Sequence, residues 1–397
     1  MIALQKGDTC GAARLIATAL AVTSIHLFAS PWPADQETEW AVDGLVDPVK
    51  VWVPDGIEEL AEGERLPTLF YYHGTGGQPT TLPPRSLAEA ADWIIIGMSY
   101  QARGRYDYSP EELQQTIRLR QGITQQLNRH LPIDPARIYV GGFSKGGWVS
   151  AMQLEQDGSL AGGAILGAGS LKRAGDPAVA PFWRPKSVYV GIGESDGNLA
   201  MSLRAARDFE ALGARVTFDE WLGVGHQYPS EMELLRQWCR IEYLQRRDEV
   251  DLGQDLELLA EATEWLEDSM AELNDSQSMD FERLLRLRAL RTAPFFGYAD
   301  GEVRGDLEDE LAAMQEKPEM TEELAAEARY REILMRESQD RFVTTLILSN
   351  RGYADLAESV GDTWFGKRAA AAKERTDRTL ESVPPEAIRE AEKALAQ

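Results

Sequence analysis

Residues 137–153 read RIYVGGFSKGGWVSAMQ, and within them an apolar strand runs through Gly142-Phe143-Ser144-Lys145-Gly146 straight into a helical pattern. This is the sequence form of a nucleophile elbow. A chain that turns from strand to helix within one residue crowds its own backbone. Small residues must then flank a central residue held in strained dihedrals. Gly141, Gly142, Gly146 and Gly147 flank Ser144 in this way. The strain is expected to lift the Ser144 hydroxyl clear of the sheet edge. The backbone NH of Lys145, at the N-terminus of the following helix, is expected to face the place where an oxyanion would form. A glycine-flanked serine also arises by chance, so its surroundings decide.

A serine hydroxyl becomes nucleophilic only beside a base. The chain holds four histidines: His26, His73, His130 and His226. His26 lies in an apolar N-terminal stretch, His130 at the end of a helical pattern, and His73 in a glycine-rich turn. His226 follows the strand-like ARVTFDEWL in the loop GVGHQYP, which makes it the expected base. The order nucleophile, acid, base asks for a carboxylate between Ser144 and His226 at the C-terminal end of another strand. KSVYVGIGESDGN, residues 186–198, supplies it. Asp196 is the expected acid, with Glu194 as the alternative, while Asp219 lies inside a strand pattern and reads as structural. PTLFYYHGTGGQP, residues 67–79, reads as a buried strand that ends in His73-Gly74-Thr75-Gly76-Gly77. Glycines there let backbone NH groups approach a tetrahedral intermediate, and Thr75 NH is the expected second donor.

The succession HGTGG, DPARIYVGGFSKGG, GESD, GHQYP resembles the α/β-hydrolase superfamily over about residues 38–247. It is most similar to the small-lid branch of phospholipase/carboxylesterase, esterase D and polyhydroxybutyrate depolymerase types. The resemblance implies a serine hydrolase acting on carboxylic esters. Ser144 would be the nucleophile, His226 the base and Asp196 the acid that orients it, with the Thr75 and Lys145 NH groups as the oxyanion hole. No cofactor and no metal are implied. Many relatives carry a neutral residue where this chain has Lys145. Thioester or peptide cleavage stays open, since one site serves all acyl transfers. So does a non-catalytic hydrolase fold whose helical region does the binding.

The strand and helix patterns alternate as a mostly parallel, doubly wound sheet requires. ETEWAVD and VKVWVP read as an opening hairpin. TLFYYH, WIIIGMSY, RIYVGGF, GGAILGAG, KSVYVGIG and RVTFDEWL read as the remaining strands. The expected pocket draws on His73, Gly74, Tyr100, Trp148 and Trp183, with Tyr106 and Tyr108 as further walls. A short flap before Lys186 leaves it open to a small or polymeric ester.

The chain has 397 residues and a net charge of −24. An acidic surface of this kind disfavours nucleic acid and anionic membranes, both of which demand clustered Lys and Arg. Three regions are expected: a signal peptide over 1–34, a catalytic domain over 35–248 and an acidic helical region over 249–397. Lys6 and Arg14 precede an uncharged stretch from Leu15 to Ala34 whose apolar core is shorter than a membrane span. Export with cleavage, and no stable membrane span afterwards, is therefore expected. Only Cys10 and Cys239 occur, so no disulfide follows, and Cys239 reads as a buried inert thiol.

By count, residues 251–397 carry about −16 of the −24. Their pattern is helical throughout, with an expected seam of Leu252, Leu256, Leu259, Leu266, Met270 and Leu273. Helices are also expected over 281–290, 320–348, 353–360 and 365–383, with breaks at Pro294, Gly352 and Gly361. The region reads as an accessory bundle, with docking of a protein partner as the sharper alternative.

Overall fold

The computed structural model describes residues 32–43, 45, 47–88, 93–100, 109–170, 185–245, 252–275, 279–339 and 342–397. Most of the expected signal segment lies outside the described residues, as do Tyr106, Tyr108, Trp183 and the flap that holds it. Trp32 is described. It is buried, edge-on to Trp40 and His130 with ring centroids 5.9 and 5.8 Å away.

All eight expected strands form, in one sheet. They are β1 (Glu37–Trp40), β2 (Val49–Trp52), β3 (Leu66–Tyr72), β4 (Ile94–Met98), β5 (Ile133–Phe143), β6 (Gly162–Leu166), β7 (Ser187–Gly193) and β8 (Arg215–Trp221). Their spatial order is β1-β2-β4-β3-β5-β6-β7-β8. β1 and β2 form the antiparallel opening hairpin and β2 runs antiparallel to β4, while every pair from β4 to β8 is parallel. Every residue of β3, β4, β6 and β7 is buried, which explains why these runs read as continuously apolar rather than alternating. This sheet, with its abrupt passage from β5 into a helix, is the α/β-hydrolase fold.

Parallel strands need crossovers, and the helices between them supply these. They are α1 (Pro84–Ala88), α2 (Pro110–Leu127), α3 (Lys145–Gln156) and α4 (Leu199–Ala211), with α5 (Glu233–Leu244) closing the sheet. α2 begins with a full capping box. Ser109 Oγ accepts from Glu112 N at 3.2 Å, and the Glu112 carboxylate accepts from Ser109 N at 3.0 Å. Register aligns the strand ends: Tyr72 pairs with Gly142, Gly142 with Ile165, and Gly193 with Trp221. The loops after β3, β5, β7 and β8 therefore leave from one edge of the sheet.

The rest of the described chain is helical: α6 (Leu256–Asp275), α7 (Asp280–Thr292), α8 (Gly301–Gln315), α9 (Met320–Glu337), α10 (Val343–Ser359), α11 (Trp364–Glu381) and α12 (Pro385–Leu395). Three details differ from the sequence reading. The α6 seam runs Leu258, Ala262, Leu266, Leu273, at spacings of four, four and seven, and Leu256 stands 80% exposed at the first turn. The helix expected over 320–348 ends at Glu337, and the next helix runs unbroken through Gly352. A Cβ at Gly352 would lie 3.1 Å from the Ile333 side chain, so this glycine serves close packing of α9 on α10 rather than a break. Finally, α8 and α12 form where no helix was expected. α8 buries only Leu307, Leu311 and Met314 on an otherwise acidic helix, and α12 only Ala391.

The helical region does not stand apart. Its apolar core takes in Ile192 of β7, Leu199 and Ala200 of α4, and Ile241 of α5, beside Leu258, Leu266, Leu284 and Phe365.

Candidate active site

Ser144 sits between β5 and α3 with φ 55° and ψ −119°, a conformation a non-glycine residue rarely holds. Two glycines make it feasible. A Cβ at Gly146 would lie 2.0 Å from the Tyr72 carbonyl oxygen, and one at Gly142 would lie 2.5 Å from the Gly146 carbonyl carbon. Only a bare backbone lets α3 leave β5 so close to β3. Ser144 N donates to Leu166 O at 2.8 Å, which ties the turn to the end of β6.

The Ser144 hydroxyl lies 2.8 Å from His226 Nε2, and His226 Nδ1 lies 2.6 Å from Asp196 Oδ2. A carboxylate only accepts, so Nδ1 carries the proton, leaving Nε2 to accept from the hydroxyl. The hydrogen bond to Asp196 raises the His226 pKa above its ordinary value of 6.5, against partial desolvation, and the Asp196 charge adds to the rise. Asp196 is 2% exposed, and its other oxygen accepts from Asn198 N at 2.8 Å. The Asn198 side chain donates to Gly167 O at 2.9 Å, anchoring the acid loop to the end of β6. The His226 ring lies against Phe143 (centroids 4.9 Å apart), Phe143 lies against Tyr228 (4.4 Å), and Tyr228 hydrogen-bonds the Tyr71 hydroxyl of β3.

The turn after β3 comes to the same place. A Cβ on Gly74 would lie 3.5 Å from Ser144 Cβ, so its backbone faces the serine directly. Gly77 N donates to Gly74 O at 3.1 Å, closing the turn around exposed Thr75, and Gly76 takes φ 76°. His73 holds the turn from beneath: its Nδ1 lies 2.7 Å from Gly74 O and its Nε2 3.3 Å from Ser99 Oγ, which donates to Asp47 at 2.7 Å. Across the serine, Lys145 opens α3, so its NH sits at the positive end of the helix dipole. Burial pulls the Lys145 ammonium below its ordinary pKa, with the Glu112 charge opposing, and its Nζ lies 5.3 Å from the Tyr100 ring centre. Tyr100 in turn stacks on His73, centroids 5.0 Å apart, and its own phenol is pushed up to about 12 by burial. Trp148, one turn into α3, is half-buried against the sheet core.

Ser144, Asp196, His226, Thr75, Lys145, His73, Gly74 and Tyr100 thus converge at one sheet edge, and Trp183 lies outside the described residues. Glu194, the alternative acid, points elsewhere. Its carboxylate accepts from Gly223 N at 2.7 Å and pairs with Arg368 of α11 at 2.8 Å. Asp219 is half-buried in β8 and accepts from Tyr189 and Trp221. Asn198 and Phe143 were not singled out from sequence. Asn198 carries a weak signal, as an amide two residues after a carboxylate in a turn.

No known family profile matches the chain, and no curated protein matches it. Among solved structures it is similar to a thermostable esterase, at 15% identity over 52% of this chain and 59% of that one, with TM-score 0.37. It thus spans about three fifths of that enzyme's length. It is also similar to an esterase of Rhizomucor miehei, at 14% identity over 56% of this chain and 87% of the other (TM-score 0.42). A third likeness is FphF, a fluorophosphonate-binding serine hydrolase of Staphylococcus aureus, at 13% identity over 52% and 97% (TM-score 0.42). At such scores the likenesses add no weight to the fold, which rests on strand order and the Ser144 turn.

Proposed function

We propose that this chain is a serine hydrolase that cleaves carboxylic esters. The observation that carries the reading is the hydrogen-bonded line from Ser144 Oγ through His226 to buried Asp196, set on a strained strand-to-helix turn. Ser144 attacks the ester carbonyl as its proton passes to His226 Nε2. Asp196 holds the ring in the productive tautomer and stabilises the imidazolium. Charge on the tetrahedral oxygen is met by the Lys145 NH and a backbone NH of the 74–77 turn, with Thr75 the assigned donor. His226 then returns the proton to the leaving alcohol. Water, deprotonated by the same ring, releases the acid from the acyl-enzyme and restores Ser144. Each half-reaction conserves protons within the site, so no cofactor enters.

The same geometry supports a substrate class. The serine edge is open on the His226 side, whose side chain is 42% exposed, and it is walled by Tyr100 and Phe143. That suits acyl or aryl esters presented from solvent. Export is inferred from the Leu15–Ala34 stretch alone, and detection of the chain only in the cytoplasmic fraction would count against it.

A fluorophosphonate probe tests the assignment. Wild type is expected to label, Ser144→Ala to remain unlabelled, and His226→Ala to hydrolyse a nitrophenyl ester at least about 10³-fold more slowly. Labelling that survives in Ser144→Ala would overturn the serine, and turnover within a few-fold of wild type in His226→Ala would overturn the base. A panel of esters, thioesters and peptides, ranked by kcat/KM, separates the acyl classes.

A further inference from the structure

We infer that the C-terminal helical region positions the acid and base of the active site through one residue, Arg368 of α11, in an arrangement that rests on the serine hydrolase reading above. The guanidinium pairs with two carboxylates at once. Nε lies 2.8 Å from Glu194 Oε1, and the terminal nitrogen donates to Glu220 Oε1. Glu194 belongs to the loop that carries Asp196, two residues on. Glu220 is the penultimate residue of β8, from which the loop to His226 departs.

The two loops are themselves stitched together at this point. Glu194 N donates to Trp221 O and Ser195 N to Val224 O, both at 2.9 Å, and the free oxygen of Glu194 accepts from Gly223 N at 2.7 Å. Glu194 is thereby a bridge. One oxygen faces the cation from the helical region, the other a backbone NH of the base loop. Gly223 takes φ 70°, so the base loop turns sharply where it is gripped.

Arg368 is held firmly enough to act in this way. It is 9% exposed, and its guanidinium carbon lies 5.1 Å from the Tyr330 ring centre and 5.0 Å from that of Phe365. A guanidinium facing two carboxylates is held in place by both, because removing it would leave two partly buried like charges together. Since Asp196 and His226 must meet at hydrogen-bond distance, a shift of either loop by a fraction of an ångström lengthens the line to Ser144. Misplacements near 1 Å can cost about 10²-fold in rate. Arg368 acts through Glu194 and Glu220 rather than on the reacting atoms, so it is a positioning residue.

The test uses the full chain, with nitrophenyl ester kinetics, fluorophosphonate labelling rate and melting temperature read on each variant. Arg368→Met is expected to lower kcat by about ten- to a hundredfold with KM within about threefold, and to slow labelling in parallel. Arg368→Lys, which keeps the charge, is expected to recover most of the loss. Glu194→Gln is expected to reproduce a share of it, and the double variant to be no slower than Arg368→Met, as for two groups acting through one contact. Arg288→Met is the comparison. It breaks the Arg288–Glu327 pair (2.6 Å) within the helical region and is expected to lower melting temperature while leaving kcat unchanged. A folded Arg368→Met with kcat within twofold of wild type would overturn the inference. Should Arg368→Met not fold, Glu194→Gln decides, and unchanged kcat there overturns it. Wild type that fails to label would instead sink the hydrolase reading. Labelling that is lost only in Ser144→Ala, with the Arg368 and Glu194 variants unaffected, would leave that reading standing and remove this one.

Discussion

At the scale of single residues, Asp196 is held as tightly as it holds. One carboxylate oxygen accepts from Asn198 N and the other from the His226 ring, so the imidazole meets an acceptor already fixed in direction. The same contact raises the His226 pKa. Because the base acts only when neutral, kcat/KM is expected to fall as pH drops through a value above 6.5. Asp196→Asn removes both the charge and the tautomer preference. The expected outcome is a loss of about 10⁴-fold in kcat, with the acid limb of the residual pH–rate profile moved to lower pH. A limb that stays in place or moves upward would mean Asp196 does not set the His226 pKa. Ser144, His226 and Asp196 were legible because each stands at a strand end among glycines, in a chain with few histidines to choose between. Glu194 stayed open as the alternative because both carboxylates follow β7 within a few residues; in the structure Asp196 meets the His226 ring while Glu194 faces Gly223 N and Arg368.

At the scale of elements, the contact of α3 with β3 governs the elbow. Gly146 places bare backbone against the Tyr72 carbonyl, where a methyl group would lie 2.0 Å from oxygen. Backbone on backbone has no rotamer with which to yield. Gly146→Ala is expected to destabilise the fold by several kcal/mol or to displace α3, with ester turnover lost either way. Gly197→Ala, where nothing lies within 4 Å, should leave the melting temperature nearly unchanged. Comparable melting curves for the two would show that the close approach is not real. The strands were readable because buried parallel strands are runs of apolar residues bounded by glycine and proline. The acidic helices were less so. In α8 and α12 the buried residues are too few to rise above the charged background, and Gly352 looked like a break while serving as a packing notch for Ile333.

At the scale of the whole molecule, the two regions share a core. Ile192, Leu199, Ala200 and Ile241 face the helical side, so the sheet is completed by helices that follow it in sequence. Composition marked the change of character near residue 249, but it carried no sign of this shared interior, nor of Arg368, one of three arginines in α11. At the other end, the buried Trp32 ring is packed against Trp40 and His130. Cys239 lies deep beneath the sheet. It is 6% exposed, its thiol is pushed up by burial, and its backbone carbonyl accepts from Trp93 at 3.2 Å. In a Cys10→Ser background it becomes a built-in gauge of opening. A disulfide reagent should react with the native protein only at the rate at which the molecule unfolds, while a fluorophosphonate is expected to react with half-buried Ser144 without unfolding. Two chemistries on one polypeptide would then report separately whether a damaged variant has lost its shape or only its aim.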